Sequence, residues 1–367
     1  MTALRLIADD LTGALDSAAA FASPDAPVPV RWCHVPAAQG SLAYDSGTRE
    51  TEPAEATARL RDLAPLLGSA GTAIRYKKID SLLRGREAEE IGAILDVLRP
   101  EFCVLAPAFP AQNRATRAGR QMVRAPSGEW RPTDADLGAR LEATGHLVHR
   151  AAPGEAPCPG ITLFDAETDA DLDRIASTPV PADVVWVGSG GLAAAIARRH
   201  AGTARPSPQP LPSTILGLFG TDHEVMRGQL KRVVDWHEIV HDVEAEAGCI
   251  ERLLRERGAV FLTVSVPPGT GRGPAADHIG AAFAALAGRL APPGTLLVAG
   301  GETLRRLCDA LGAGGLNVTG EVVPGVPRSV LKGGRWDGTA VVSKSGAFGS
   351  VDFLRDLVAP ASQGIQA

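Results

Sequence analysis

Short apolar runs alternate with stretches of helical spacing along most of this chain. The runs Leu4–Ala8, Val28–Cys33, Ser41–Tyr44, Ala73–Lys77, Phe102–Ala106 and Val184–Val187 predict strands. Between and after them, apolar positions repeat at helical intervals over Ala14–Phe21, Glu55–Leu67, Ala88–Leu98 and Leu192–Arg199. The same alternation resumes downstream. Strands are predicted at Thr214–Phe219, Val260–Val266, Thr295–Ala299 and Ala340–Ser343. Helices are predicted from His223 to about Val234, over Ala275–Leu290 and Leu304–Leu311, and in a short final turn ending at Leu357. Strands that alternate with helices favour a mostly parallel sheet covered on both faces. The Arg-, Pro- and Gly-rich segment from Arg120 to Gly160 has no clear period and predicts no element.

Between the two stretches lies AGTARPSPQPLP, residues 201–212, with alternating prolines at 206, 208, 210 and 212. Proline fixes φ and lacks a backbone donor, so this segment reads as an extended linker. The expected domains are therefore residues 1–200 and 213–367, joined by 201–212. A chain of 367 residues is long enough for two domains at roughly 100–200 residues each.

Composition narrows the function classes. Apolar residues make up 45% of the chain and charged residues 22%, which supports two packed cores. Aromatics are only 4%, so Ala, Val and Leu must build those cores. A net charge of −5 argues against a nucleic-acid binder. The five cysteines include no CxxC pair, which predicts buried free thiols in a reducing cytoplasm rather than a disulfide framework or zinc ribbon. No apolar stretch approaches the roughly 18 residues that span a bilayer, and no signal-peptide pattern opens the chain.

Each predicted strand ends in a polar or glycine-rich turn, and open α/β sheets bind ligands at those carboxyl ends. After the first strand come Asp9 and Asp10, in ADDLTGA. Capping of the next helix by Asp10 or Thr12 explains one carboxylate; the second must be balanced by a cation or donors. After the fourth strand comes KKIDSLLRG, with Lys78, Asp80 and Arg84 close together. Arg84 can fork onto a carboxylate or phosphate and Asp80 can accept a hydroxyl proton, although a surface salt-bridge cluster has the same composition. Three turns in the second half are glycine-rich: Gly220-Thr221, Gly300-Gly301-Glu302-Thr303, and Ser343 to Gly349. Glycine before a helix lets backbone amides approach an anion, and also serves ordinary tight turns. The dinucleotide fingerprint GxGxxG is absent, and Lys344-Ser345 lacks the glycine and spacing of a P-loop.

Taken in order, ADDLTGA at 8–14, KKIDSLLRG at 77–85, PAFP at 107–110, GSGGLA at 188–193, GGET at 300–303, PGVP at 324–327 and SKSGAFG at 343–349 span nearly the whole chain. This set resembles the four-carbon acid sugar kinase family, which includes threonate, erythronate and 3-oxo-tetronate kinases. The resemblance implies two Rossmann-like α/β domains, each a mostly parallel sheet flanked by helices, with an interdomain cleft. It implies a cytoplasmic ATP-dependent kinase that phosphorylates a hydroxyl of a small acid sugar, with ATP and Mg2+ as cofactors. Asp9, Arg49, Lys78 and Arg84 would bind the sugar acid, with Asp10 or Asp80 orienting or deprotonating the hydroxyl. Thr221, His223, Gly300, Gly301, Glu302, Thr303, Lys344, Ser345 and Gly346 would hold the nucleotide; no metal ligand is indicated. Partners would be the sugar acid and ATP, without nucleic acid or membrane, and a homodimer is compatible. The chain departs from the family at Leu82, where threonine is usual, at Asp222 and His223, where small hydroxyl residues are usual, and by its shorter 121–160 region. Two other readings stay open: a non-catalytic regulator that binds acid sugar or nucleotide, and a dinucleotide-dependent oxidoreductase.

Overall fold

A computed structural model describes residues 2–33, 40–69, 71, 73–125, 127–201 and 210–358. The chain divides into two compact units, Met1–Ala22 with Val28–Ala204, and Ser23–Pro27 with Arg205–Ala367. Most of the predicted Pro-rich linker, residues 202–209, lies outside the described residues.

In the first unit the strands of the main sheet are β1 (Ala3–Ala8), β2 (Val28–Arg31), β3 (Leu42–Asp45), β4 (Ala73–Lys78) and β5 (Phe102–Ala106). Three short strands follow, β6 (Arg114–Arg117), β7 (Arg120–Arg124) and β8 (Trp130–Pro132), then β9 (Val148–Ala151), β10 (Gly160–Phe164) and β11 (Val184–Gly188). The main sheet runs β2-β3-β1-β4-β11-β5-β10-β9, and its neighbouring strands are parallel. The β6-β7-β8 meander is antiparallel and forms a small sheet of its own.

The helices of this unit are α1 (Leu11–Ala19), α2 (Pro53–Leu63), α3 (Glu87–Leu98), α4 (Leu137–Ala143), α5 (Asp169–Ser177) and α6 (Gly190–Ala201). They pack in two groups, α2 with α3 and α4, and α1 with α5 and α6. The first group buries Ile91, Leu95, Leu137 and Leu141 against Leu105, Ile161, Leu163, Val185 and Val187 of the strands. The predicted strands are present with small shifts at their ends. Helix α1 begins earlier than its apolar spacing suggested because Asp10 caps it, accepting from the Gly13 amide.

The second unit contains β12 (Ile215–Phe219), β13 (His237–Val240), β14 (Ala259–Val264), β15 (Thr295–Ala299), β16 (Gly315–Val323), β17 (Val326–Lys332) and β18 (Ala340–Lys344). Its order is β13-β14-β12-β15-β18-β17-β16. The first five are parallel and the last two turn antiparallel. Helices α7 (Glu224–Leu230), α8 (Val243–Arg257), α9 (Arg272–Arg289), α10 (Gly301–Ala310) and α11 (Phe353–Val358) cover it. Its core joins Phe219, Met226, Phe261, Leu297, Val342 and Leu354.

Helix α8 was not legible as a periodic stretch, since only Ala247, Ile250 and Leu254 are buried along it. Its ends are well specified instead: Asp242 caps the start and accepts from the Glu244 and Ala245 amides, while Gly258 closes it in the left-handed region at φ 72°.

The cysteine expectation needs correcting. Cys103 and Cys308 are buried free thiols, but Cys33, Cys158 and Cys249 are exposed, because they sit in loops or on the polar face of α8. No described helix is long and apolar enough to cross a membrane.

Candidate functional site

Strands β3, β1 and β4 are adjacent, parallel and in register, with Asp45 and Lys78 both opposite Ala8. Their carboxyl ends therefore open on one edge of the sheet, where the chain delivers Asp9 and Asp10 from β1, Arg49 from beyond β3, and Lys78, Asp80 and Arg84 from β4.

Arg49 is the hub. Its Nε donates to Asp9 Oδ2 (2.7 Å), its Nη2 to Asp9 Oδ1 (3.0 Å) and its Nη1 to Asp10 Oδ2 (2.5 Å). One guanidinium thus offsets the repulsion between two adjacent carboxylates. Lys78 is buried and donates through Nζ to Ile79 O (2.9 Å). A Cβ at position 13 would lie 2.8 Å from that ammonium, so Gly13 is what lets Lys78 reach the first turn of α1. Beneath the edge, Lys77 forms a buried ion pair with Glu90 at 2.5 Å. The other oxygen of Glu90 accepts from Thr48 Oγ1 (2.5 Å), and Thr48 and Ser46 tie the β3 turn back to Ala8 O.

The three aspartates differ in proton affinity. Burial acts to raise the Asp9 carboxyl, but Arg49, Lys77 and Lys78 outweigh it and hold it below the usual carboxylate range. Asp80 is also desolvated, yet the Arg84 hydrogen bonds and the charges of Arg49, Arg84 and Lys78 hold it far below that range. Asp10 goes the other way. Burial raises it, Arg49 opposes the rise, and the neighbouring Asp9 carboxylate adds to it. Of the three, Asp10 is the group suited to taking up a proton.

Neither predicted substrate arginine is idle. Arg49 is committed to the aspartate pair, and Arg84 closes on Asp80 with its guanidinium still largely exposed. Sequence reasoning missed Arg114, which opens β6 and donates through Nη1 to Ser81 Oγ (2.5 Å). Its signal was hidden because it lies between the PAFP motif and a segment without apolar period.

The second unit gathers the predicted nucleotide residues. At the ends of β12, β15 and β18, Phe219 pairs with Ala299 and Ala299 with Lys344. The Gly220 amide donates to Ala299 O and the Gly300 amide to Lys344 O, 3.1 Å each. Gly300, at φ 112°, turns the chain sharply into α10. The three turns touch: a Cβ on Gly220 would fall 1.9 Å from Thr303 Oγ1, and one on Gly346 would fall 2.5 Å from Thr221 Oγ1 and 3.0 Å from His223 Cβ. The result is a set of glycine turns beside the starts of α7 and α10, an arrangement that suits an anion.

Within this set, His223 caps α7, its Nδ1 accepting from the Val225 amide (3.2 Å). Glu302 is exposed and paired with Arg306 (2.7 Å). Ser345 Oγ accepts from the Ala347 amide (3.5 Å). Lys344 is not presented at the turn: its ammonium is buried 3.6 Å from Met226 Sδ, and burial lowers its pKa to about 8. A residue unforeseen from sequence, Gln229 of α7, holds the turn after β18 by donating to the carbonyls of Phe348, Gly349 and Ser350.

Comparison with known proteins agrees with this division. Residues 4–145 match a family described as a sugar-binding N-terminal domain, and residues 220–354 match a nucleotide-binding C-terminal domain. The chain is 32% identical to a D-threonate kinase of Cupriavidus necator, over 94% of each chain. It belongs to the acid-sugar kinase family. Another family relative, a D-threonate kinase of Bordetella bronchiseptica, is 30% identical over 96% of this chain and 95% of its own. A D-erythronate kinase of Heliobacterium modesticaldum is 26% identical over 96% and 95%. In fold, this acid-sugar kinase superposes on a crystal structure from Salmonella typhimurium with a TM-score of 0.74 at 21% identity, covering 95% and 97% of the two chains.

Proposed function

We propose that this kinase transfers the γ-phosphoryl group of ATP to a hydroxyl of a four-carbon acid sugar, with D-threonate the first candidate. Relatives at 32% and 30% identity are D-threonate kinases, which supports that order of candidates. The observation that carries the reading is the edge cluster of the first unit. Asp9, Asp10 and Asp80 share this edge with Arg49, Lys78, Arg84 and Arg114, so carboxylates and cations stand together there. Such a site offers acceptors to sugar hydroxyls and positive charge to a sugar acid.

In the reaction, the hydroxyl oxygen forms a bond to the γ-phosphorus as the bond from that phosphorus to the bridging oxygen of ADP breaks. Asp10 takes the hydroxyl proton. Asp9 and Arg49 hold Asp10 in place, and Lys78 and Arg84 add positive charge around the acid sugar. The glycine turns at 220, 300 and 346 would receive the nucleotide, with Thr221 and Thr303 beside its phosphates. Positioning and charge stabilisation supply most of the rate in such transfers.

Magnesium bound to a nucleotide usually takes one or two carboxylates and keeps several waters. Asp222 and Glu302, both exposed at these turns, fit that role. Among the described residues no group of three or more His, Cys, Asp or Glu forms a metal cage. The ion would neutralise charge developing on the phosphates.

The test is ADP release with D-threonate, D-erythronate and 3-oxo-tetronate. Turnover with one of them at a kcat/KM well above the others is the expected result. Binding of acid and nucleotide without turnover would leave a regulator instead.

A further inference from the structure

We propose that Arg114 is the anchor for the carboxylate of the acid sugar. This rests on the reading that the edge cluster of the first unit is the acid-sugar site. Three arginines stand in that cluster, and two are already matched to carboxylates: Arg49 to Asp9 and Asp10, and Arg84 to Asp80. Arg114 differs. It makes no ion pair among the described residues, its one side-chain partner is the neutral hydroxyl of Ser81, and its Nε is buried without an acceptor. Asp80 and Asp16 attract its charge and Arg84 repels it, but burial is the largest influence on it. A desolvated guanidinium with no carboxylate bonded to it is costly, and an incoming carboxylate supplies that bond.

The backbone around Arg114 is fixed independently of any ligand. Phe109 and Arg114 exchange two backbone hydrogen bonds, of 2.9 and 3.1 Å, so the PAFP turn pins the residue. On the next strand Gln121 donates to Ser81 O (2.7 Å) and Pro107 O (3.2 Å), and its own carbonyl accepts from Thr116 (2.8 Å). These contacts fasten the meander to the turn that carries Asp80 and Ser81. A cation on so rigid a support loses little freedom when it binds an anion.

The experiment compares wild type with Arg114→Ala and Arg114→Lys. It measures KM for the acid sugar, KM for ATP, and the inhibition constant of threitol, the four-carbon polyol that lacks a carboxylate. Loss of a charge-assisted hydrogen-bonded contact is expected to raise KM for the acid roughly 10- to 100-fold in Arg114→Ala. The KM for ATP and the threitol constant should hold, Arg114→Lys should lie between, and added guanidinium should restore part of the loss. An unchanged KM for the acid in the folded alanine variant overturns the anchor, and so does an equal loss for acid and threitol, which marks a purely structural role. If the alanine variant does not fold, the lysine variant decides by the same comparison of acid with threitol. Failure of the underlying reading looks different: wild type then releases no ADP with any four-carbon acid, and the anchor falls with it.

Discussion

Arg84 grips Asp80 with two side-chain donors, Nε to Oδ2 at 2.6 Å and Nη2 to Oδ1 at 3.0 Å, and its backbone amide adds a third bond to Oδ2 at 3.2 Å. A carboxylate held this way resists protonation, so Asp80 is poorly suited to act as a base. Its contacts fix Arg84 and the turn that follows Ser81, whose backbone includes Leu83 in the left-handed region at φ 57°.

The pair makes a prediction about acid stability. The folded-state pKa of Asp80 lies below its unfolded value, so its contribution is complete above the unfolded value, near 3.9. It is lost as pH falls from there toward the folded value. Asp80→Asn should therefore be less stable than wild type at pH 6 but lose less on going from pH 5 to pH 2. Thermal melts across that range check this, and parallel curves for the two proteins would contradict it.

Lys344 makes a prediction at the alkaline end. Its folded pKa, about 8, lies below that of an unfolded lysine. Between those values the unfolded chain holds the proton and the folded chain does not, so stability rises with pH through that window. Lys344→Met should remove the rise and, because it replaces an ammonium facing Met226 with an apolar chain, stabilise the protein at pH 7 by about 1–3 kcal/mol. Urea titrations at pH 7 and pH 9.5 measure both effects.

Most of the sheet edge was legible from sequence, because strand-terminal motifs at Asp9–Asp10 and Lys78–Arg84 belong to adjacent parallel strands. The rest was hidden for identifiable reasons. The meander that carries Arg114 and Gln121 is polar and rich in arginine, so no apolar period announces it. The antiparallel pair β16–β17 follows a run of βα units, where a parallel strand is the default expectation. The resemblance places Lys344 among the residues that hold the nucleotide, yet alternation along β18 puts it on the same face as Val342, which packs in the core with Met226. Motif position placed these residues on the chain; which way each side chain faces came only from packing.

The Gly346 turn can be tested by bulk. A valine there would push against Thr221 and His223 and separate the turns after β12 and β18. Gly346→Val should raise KM for ATP by at least roughly tenfold, about 1.4 kcal/mol, while binding of the acid sugar to the first unit stays near wild type. Calorimetry with each ligand separately distinguishes this local effect from global unfolding.

Asp10 combines the features of a base with a structural duty, and the two can be separated. Its Oδ1 accepts from the Gly13 amide at 2.8 Å and caps α1, while its Oδ2 accepts from Arg49 at 2.5 Å. The side chain remains partly exposed, so a sugar hydroxyl can still reach it. Asparagine caps helices about as well as aspartate, so Asp10→Asn keeps the cap of α1 while it removes the proton acceptor together with the ion pair to Arg49. Alanine would also lose the cap, at a cost of about 1 kcal/mol, and confuse the result. If Asp10 takes the hydroxyl proton, Asp10→Asn should lower kcat by about 10²–10⁴-fold with little change in KM. The pH profile gives an independent sign. Burial and Asp9 lift the Asp10 carboxyl above the usual range, so wild-type kcat should fall as pH drops through that raised value. The asparagine variant should lack this limb. A variant that keeps both near-normal kcat and the limb would mean that the hydroxyl proton leaves by another route and that Asp10 serves only to cap the helix and position Arg49.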